Sequence, residues 1–213
     1  MPVPPNLTLF VLAALALLVL PGPAVIYIVT RSVDQGRLAG VVSALGINTG
    51  DSVHVVAAVL GLSALLMSSA LAFNVVKVLG AAYLIYLGVR KLFFEKDEPQ
   101  EAGEPQQPQK LSRIYTQGVV VAVLNPKTAL FFFAFLPQFV DPARGAVAGQ
   151  ILLLGLIFVG MAICNGCLYA LLAGTAGHWL KGNLGFLRGQ RTFAGGIYIA
   201  LGVATAVSGA DHR

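Results

Sequence analysis

Charge is what this sequence has least of: 11% of its 213 residues are Asp, Glu, Lys or Arg, against about 25% in an ordinary soluble domain. With 57% hydrophobic residues and a mean hydropathy of +0.80, the shortage makes the chain an integral membrane protein. Acid is scarcer still, and a single acidic residue, Asp51, falls deep inside an apolar run. A nucleotide-binding motif is missing, which speaks against an ATP-driven pump, and no nucleophile and base stand at an interpretable spacing, so the chain does not read as an enzyme. No cofactor is implied. The two cysteines, Cys164 and Cys167, lie in "ICNGCLY" without a nearby His or acid, a poor metal site, and without a basic neighbour to activate a thiol. No Lys or Arg precedes the first apolar run, which argues against reading "ALALLVLPGPAV" as a signal peptide.

What is present is six long apolar segments, roughly 7 to 30, 38 to 67, 70 to 94, 114 to 140, 147 to 174 and 190 to 208. Nearly all meet the ~20 residues needed to span the hydrocarbon as a helix. The loops after spans one, three and five hold Arg31, Arg37, Arg90, Lys91, Lys96, Lys110, Arg113, Lys181, Arg188 and Arg191, whereas the other side has Arg144 and Arg213. The positive-inside rule puts those loops in the cytoplasm and both termini in the periplasm. The formal charge of +5 is therefore a topology signal and implies no nucleic-acid partner.

One polar stretch, "EKDEPQEAGEPQQPQK" (Glu95 to Lys110), has nothing to bury and reads as a cytoplasmic linker. It divides the chain into residues 1–94, a linker over 95–113, and residues 114–213. Three spans are an odd number, so the second half enters from the opposite side, as an inverted repeat does. "GAAYLIYLGV" in span three and "GGIYIALGV" in span six echo each other. The expected fold is thus an all-α membrane protein of six helices in two inverted three-helix repeats.

The first helix of each repeat is broken by proline, at Pro21-Gly22-Pro23 and at Asn125-Pro126. A proline removes an N–H and clashes with the carbonyl four residues earlier, so the carbonyls of Leu17, Val19 and Ala122 are expected to lose their partners. Lipid tolerates such groups only where protein or water satisfies them. Matched interruptions in both halves are a pointer to a transport site. Donors around Ala24 to Ile26 and around Thr128 and Ala129 are expected to face that site as anion-attracting helix ends.

Asp51 lies about 20 Å along span two, and shares a face with Asn48 and His54. Gly46 and Gly50 form a small-xxx-small pair that admits a close neighbour. Lys127, just after the second break, is too deep to snorkel and is expected beside Asp51, whereas Lys77 sits near a membrane edge and snorkels. A lysine, a carboxylate and two helix breaks suit a ligand of both signs, such as a free amino acid. Pro21, Gly22, Pro23, Ala24, Asn48, Asp51, Asn125, Pro126, Lys127 and Tyr169 are the candidate substrate contacts. Asp51 and His54 are candidates for proton coupling, since burial disfavours a charged carboxylate. Asn165 and Tyr169 serve either as polar lining or as interhelical hydrogen bonders.

Pro21-Gly22-Pro23, "TRSVDQG" (Thr30 to Gly36), "GINTGDSVH" (Gly46 to His54), "LGAAYLIYLG" (Leu79 to Gly88) and "LNPKTALFFFAFLPQFV" (Leu124 to Val140) together resemble the LysE/RhtB translocators, amino-acid exporters of the bacterial inner membrane. The resemblance covers essentially the whole chain. It implies proton-motive-force-driven export of amino acids or close derivatives such as homoserine, homoserine lactone, threonine, lysine or arginine. Many members carry a polar residue after Pro-Gly-Pro where this chain has Ala24, which loosens the substrate assignment. Two other readings compete: a divalent-cation exporter on the same fold, short of deep ligands here, and a thiol-disulfide electron carrier using Cys164 and Cys167. Small residues in "GINTG", "GAVAG" and "GNLGF" suit packing within one bundle or between two copies in a homodimer.

Overall fold

In the computed structural model, the described residues are 7–19, 22–62 and 108–181, with isolated helical positions at 64, 75, 78, 82, 85, 86, 89, 199 and 203. Among them every regular element is helical. Most of spans three and six, Lys77, Pro21 and most of the linker lie outside the described residues, and with them the expected six spans in two repeats.

Helix α1 (Leu7–Val19) is built from Leu, Ala and Val, and it buries Phe10, Ala13, Ala14 and Leu17. That i, i+3, i+4, i+7 stripe is one helical face. Leu9, Leu12, Leu15 and Val19 point outward, an arrangement that suits lipid rather than water.

Helix α2 (Pro23–Ala57) continues as a π-helical turn over Ala58–Leu62. Gly36 interrupts it at φ 84°, ψ 174°, a positive-φ conformation that glycine enters without strain. The chain reverses there. A Cβ added to Gly40 would fall 1.8 Å from Ser32 Oγ, whereas residues eight apart on a straight helix are about 12 Å apart. The two arms are residues 23–35 and 37–57. Arg31 lies on the first arm and is buried, a correction to its placement among the loop charges.

Helix α3 (Leu111–Val123) and the chain from Pro126 to Phe139 meet at a 46° bend. Beyond the bend come helix α4 (Pro126–Leu130), a π-helical turn over Phe131–Phe135 and a 3-10 turn over Leu136–Phe139. Helix α3 starts at Leu111 rather than at residue 114. Helix α5 (Val147–Lys181) follows, and its Ile151, Leu154, Phe158, Ala162, Ala170 and Ala173 form a buried stripe. By length and composition Pro23–Leu62 and Val147–Thr175 can each cross a membrane, and the bent pair Leu111–Val123 and Pro126–Phe139 makes a third candidate. The protein is a multi-pass membrane protein.

Two packing regions result. The second arm of α2 meets α3 backbone to backbone: a Cβ on Gly46 would fall 2.3 Å from Tyr115 O, and one on Gly50 would fall 2.7 Å from Val119 O. The close neighbour expected from the glycine spacing is therefore α3. An aromatic cluster joins α1, the end of α4 and α5, with Phe10 and Phe139 ring centres 5.3 Å apart and Phe131 and Phe158 stacked at 4.7 Å.

Candidate functional site

Both breaks use the same local design. Gly22 and Asn125 are extended N-cap residues, and each is followed by a proline at the first helical position, where a missing N–H costs nothing. The N–H of Ile26 donates to Gly22 O at 2.9 Å, and that of Ala129 to Asn125 O at 3.1 Å. These two donors were expected to face the site and do not, because the first helical ring closes on the carbonyl of the N-cap residue. Asn125 Oδ1 also accepts the Lys127 N–H at 3.1 Å.

The freed carbonyls are supplied from elsewhere. Val19 O accepts from the Tyr169 hydroxyl at 2.8 Å, and the neighbouring Leu18 O accepts from Asn165 Nδ2 at 3.0 Å. Asn165 and Tyr169 thus act as interhelical donors from α5. Ala122 O accepts the Asn125 N–H at 3.0 Å and pairs with His54 Nε2 at 3.1 Å. A carbonyl only accepts, so Nε2 carries the proton. The His54 ring is stacked on Phe132 at 6.3 Å.

Lys127 connects the two breaks. It belongs to α4, yet a Cβ built on Gly22 would lie 3.4 Å from Lys127 Cδ and 3.7 Å from Nζ. Its charge acts on Asp51, and Thr128 is a side-chain hydrogen-bond partner of the same carboxylate. Asn125 Nδ2 donates to Thr128 Oγ1 at 3.2 Å. Asp51 is 4% exposed and Lys127 9%.

One turn from Asp51, Asn48 donates Nδ2 to Ala44 O at 2.7 Å, while its buried Oδ1 has no hydrogen-bond partner among the described residues. An unmet buried acceptor costs about 1–3 kcal/mol. Of the expected site residues, Gly22, Asp51, Asn125 and Lys127 come together, with Pro23, Ala24 and Pro126 adjoining along the chain. Asn48 and His54 flank Asp51 on its helix, whereas the Tyr169 hydroxyl is engaged at Val19.

Sequence reasoning missed Tyr27 and Gln117, took Arg31 for a loop charge, and named Thr128 for its backbone N–H and not for its side chain. Thr128 was legible from its position three residues after the Asn125 cap. Arg31 was hidden among the loop charges. Its Nη2 donates to Gln117 Oε1 at 3.1 Å.

Comparison with known proteins adds an independent line. A family model described as LysE type translocator matches residues 15–209. The membrane protein YrhP of Bacillus subtilis (strain 168), itself uncharacterised, is 31% identical over 212 residues, 95% of this chain and 99% of that protein. A protein of Salmonella typhimurium described as a homoserine/homoserine lactone efflux protein is 34% identical over 175 residues, 81% of this chain and 82% of that one. No solved structure matches.

Proposed function

The chain belongs to the LysE type translocator family, and from that premise we propose that it is a secondary transporter exporting amino acids or close derivatives of the homoserine class across the bacterial inner membrane, driven by the proton motive force. The observation that carries the reading is the meeting of Lys127, Asp51 and both helix breaks at one point. Buried charges of opposite sign, beside the open acceptor of Asn48, match a substrate that carries an ammonium and a carboxylate.

In this reading Asp51 and Asn48 Oδ1 take the ammonium, and Lys127 takes the carboxylate. Helix ends contribute less than the sequence implied, because Ile26 and Ala129 spend their N–H groups inside the protein. Asp51 also holds and releases the coupling proton, with Thr128 as a side-chain partner. His54 supports α3 through Ala122 O and adjoins Asp51 along the helix. The basic loops orient both termini to the periplasm.

The assignment of roles has a chemical test, because homoserine carries both charges whereas its lactone has only the ammonium. Proteoliposomes loaded with either compound, with and without an imposed pH gradient, are compared for wild type, Asp51→Asn and Lys127→Gln. Gradient-driven efflux of both compounds is expected from wild type, and from neither in Asp51→Asn. Lys127→Gln is expected to impair homoserine more than the lactone. Equal loss of the two would remove Lys127 from the carboxylate role, and no movement of any amino acid by folded protein would refute the substrate class.

A further inference from the structure

Between the site and the Gly36 turn lies a second polar cluster. The Tyr27 hydroxyl donates to Ile114 O at 2.7 Å and lies 3.3 Å from Gln117 Oε1, the same oxygen that accepts from Arg31. The Arg31 guanidinium stands 5.5 Å over the Tyr27 ring, and the residue is 8% exposed. Every one of the hydrogen bonds crosses from the first arm of α2 to α3.

These bonds differ in purpose from those at the breaks. Tyr169 meets a carbonyl that a proline had orphaned. Ile114, by contrast, lies inside α3, where the helix already supplies its carbonyl with a donor. Tyr27 therefore repairs nothing in the backbone; what it does is hold two elements together. An arginine is also a costly residue to bury in a membrane, and here it holds the same two elements.

Position along the chain gives the contact a direction. Tyr27 follows Gly22 by about 7.5 Å of helix, and Gln117 lies on α3, ahead of the 46° bend that leads to Lys127. Phe10 and Phe139, which pack together, lie at the far ends of α1 and of the chain past α4, on the other side of the site. The site is thus flanked at one end by packed rings and at the other by hydrogen bonds between the first arm of α2 and α3, beside a small apolar cluster of Ile28, Ala44, Ile47, Ala122 and Ala170. Arg37, Lys110 and Arg113 adjoin the polar end, which assigns it to the cytoplasm.

We propose that Tyr27, Arg31 and Gln117 form the cytoplasmic gate of the substrate path, closed when Gln117 bridges the two side chains and opened when the first arm of α2 parts from α3. The proposal rests on the transport reading, but its test needs no substrate. In protein carrying Cys164→Ser, Cys167→Ser and Gly22→Cys, a membrane-impermeant thiol reagent is applied to inside-out and right-side-out vesicles. The added side chain meets Lys127 at ordinary contact distance, 3.4 Å. Loss of a hydrogen bond to a charged group in Gln117→Ala is expected to raise labelling from the cytoplasmic face about tenfold. Gln117→Glu, which pairs with Arg31, is expected to lower labelling below the parent. Tyr27→Phe, which loses one hydroxyl, is expected to raise it less than Gln117→Ala. Equal rates in all forms, or a rise from both faces, would overturn the gate. A labelling response, alongside folded wild-type protein that exports no amino acid, would keep the gate and overturn the substrate assignment instead.

Discussion

The two proline breaks open the same kinds of backbone group and are closed in opposite ways. At the first, Leu18 O and Val19 O depend on Asn165 and Tyr169, side chains of a helix nearly 150 residues away in sequence. At the second, Asn125 caps α4 with its own side chain and supplies its own N–H to Ala122 O, with His54 as a further partner. A break closed from within its own chain segment keeps its shape wherever its neighbours go. One closed by another helix holds only while that helix is in place, which ties the first break to α5.

The largest effect is expected where the two breaks meet. Asp51→Asn leaves the Lys127 charge without its buried counterpart, at a cost of about 3–5 kcal/mol. Lys127→Met in the same chain removes the stranded charge, and thermal unfolding in detergent is expected to recover most of the loss. No recovery would mean that the two residues do not act as a pair. Next comes the first break: Asn165→Leu with Tyr169→Phe strands two carbonyls, each worth about 1–3 kcal/mol. It is expected to loosen α1 against α5, read as faster hydrogen exchange around residues 17–19.

Asn125→Ala is expected to cost about 0.5–2 kcal/mol, with exchange confined to α4, and Asn125→Ser to restore most of it. Spread of the Asn125→Ala effect to α1 would break the distinction between a self-closed and a neighbour-closed break. His54→Leu is the smallest, about 0.5–1.5 kcal/mol, because Ala122 O keeps the Asn125 N–H. Loss of efflux in this variant at near-normal stability would make His54 part of the coupling path rather than a brace.

The degree to which the site was legible follows from these particulars. The breaks themselves were evident, since a proline acts on its own backbone wherever it stands. Asp51 and Lys127 were evident because deep charges are rare enough to point at each other. The Gly46 and Gly50 pair announced a close neighbour without saying which helix it was. Arg31 was misplaced, because a basic residue near the end of an apolar run has the same appearance whether it faces water or packs against Gln117. Tyr169 was grouped with possible substrate contacts although its hydroxyl is committed to Val19, a pairing that no local pattern encodes.

The sequence alone determined that the chain enters a membrane, where its helices break and which charged residues lie deep, because hydropathy, proline and buried charge act through local chemistry. Tertiary structure alone decided that Gly36 turns α2 back on itself, that Lys127 reaches Gly22, and that α5 supplies the first break while Asn125 supplies the second. Those choices depend on which helix faces which. An orphaned carbonyl requires a donor, but only the packed bundle determines whose.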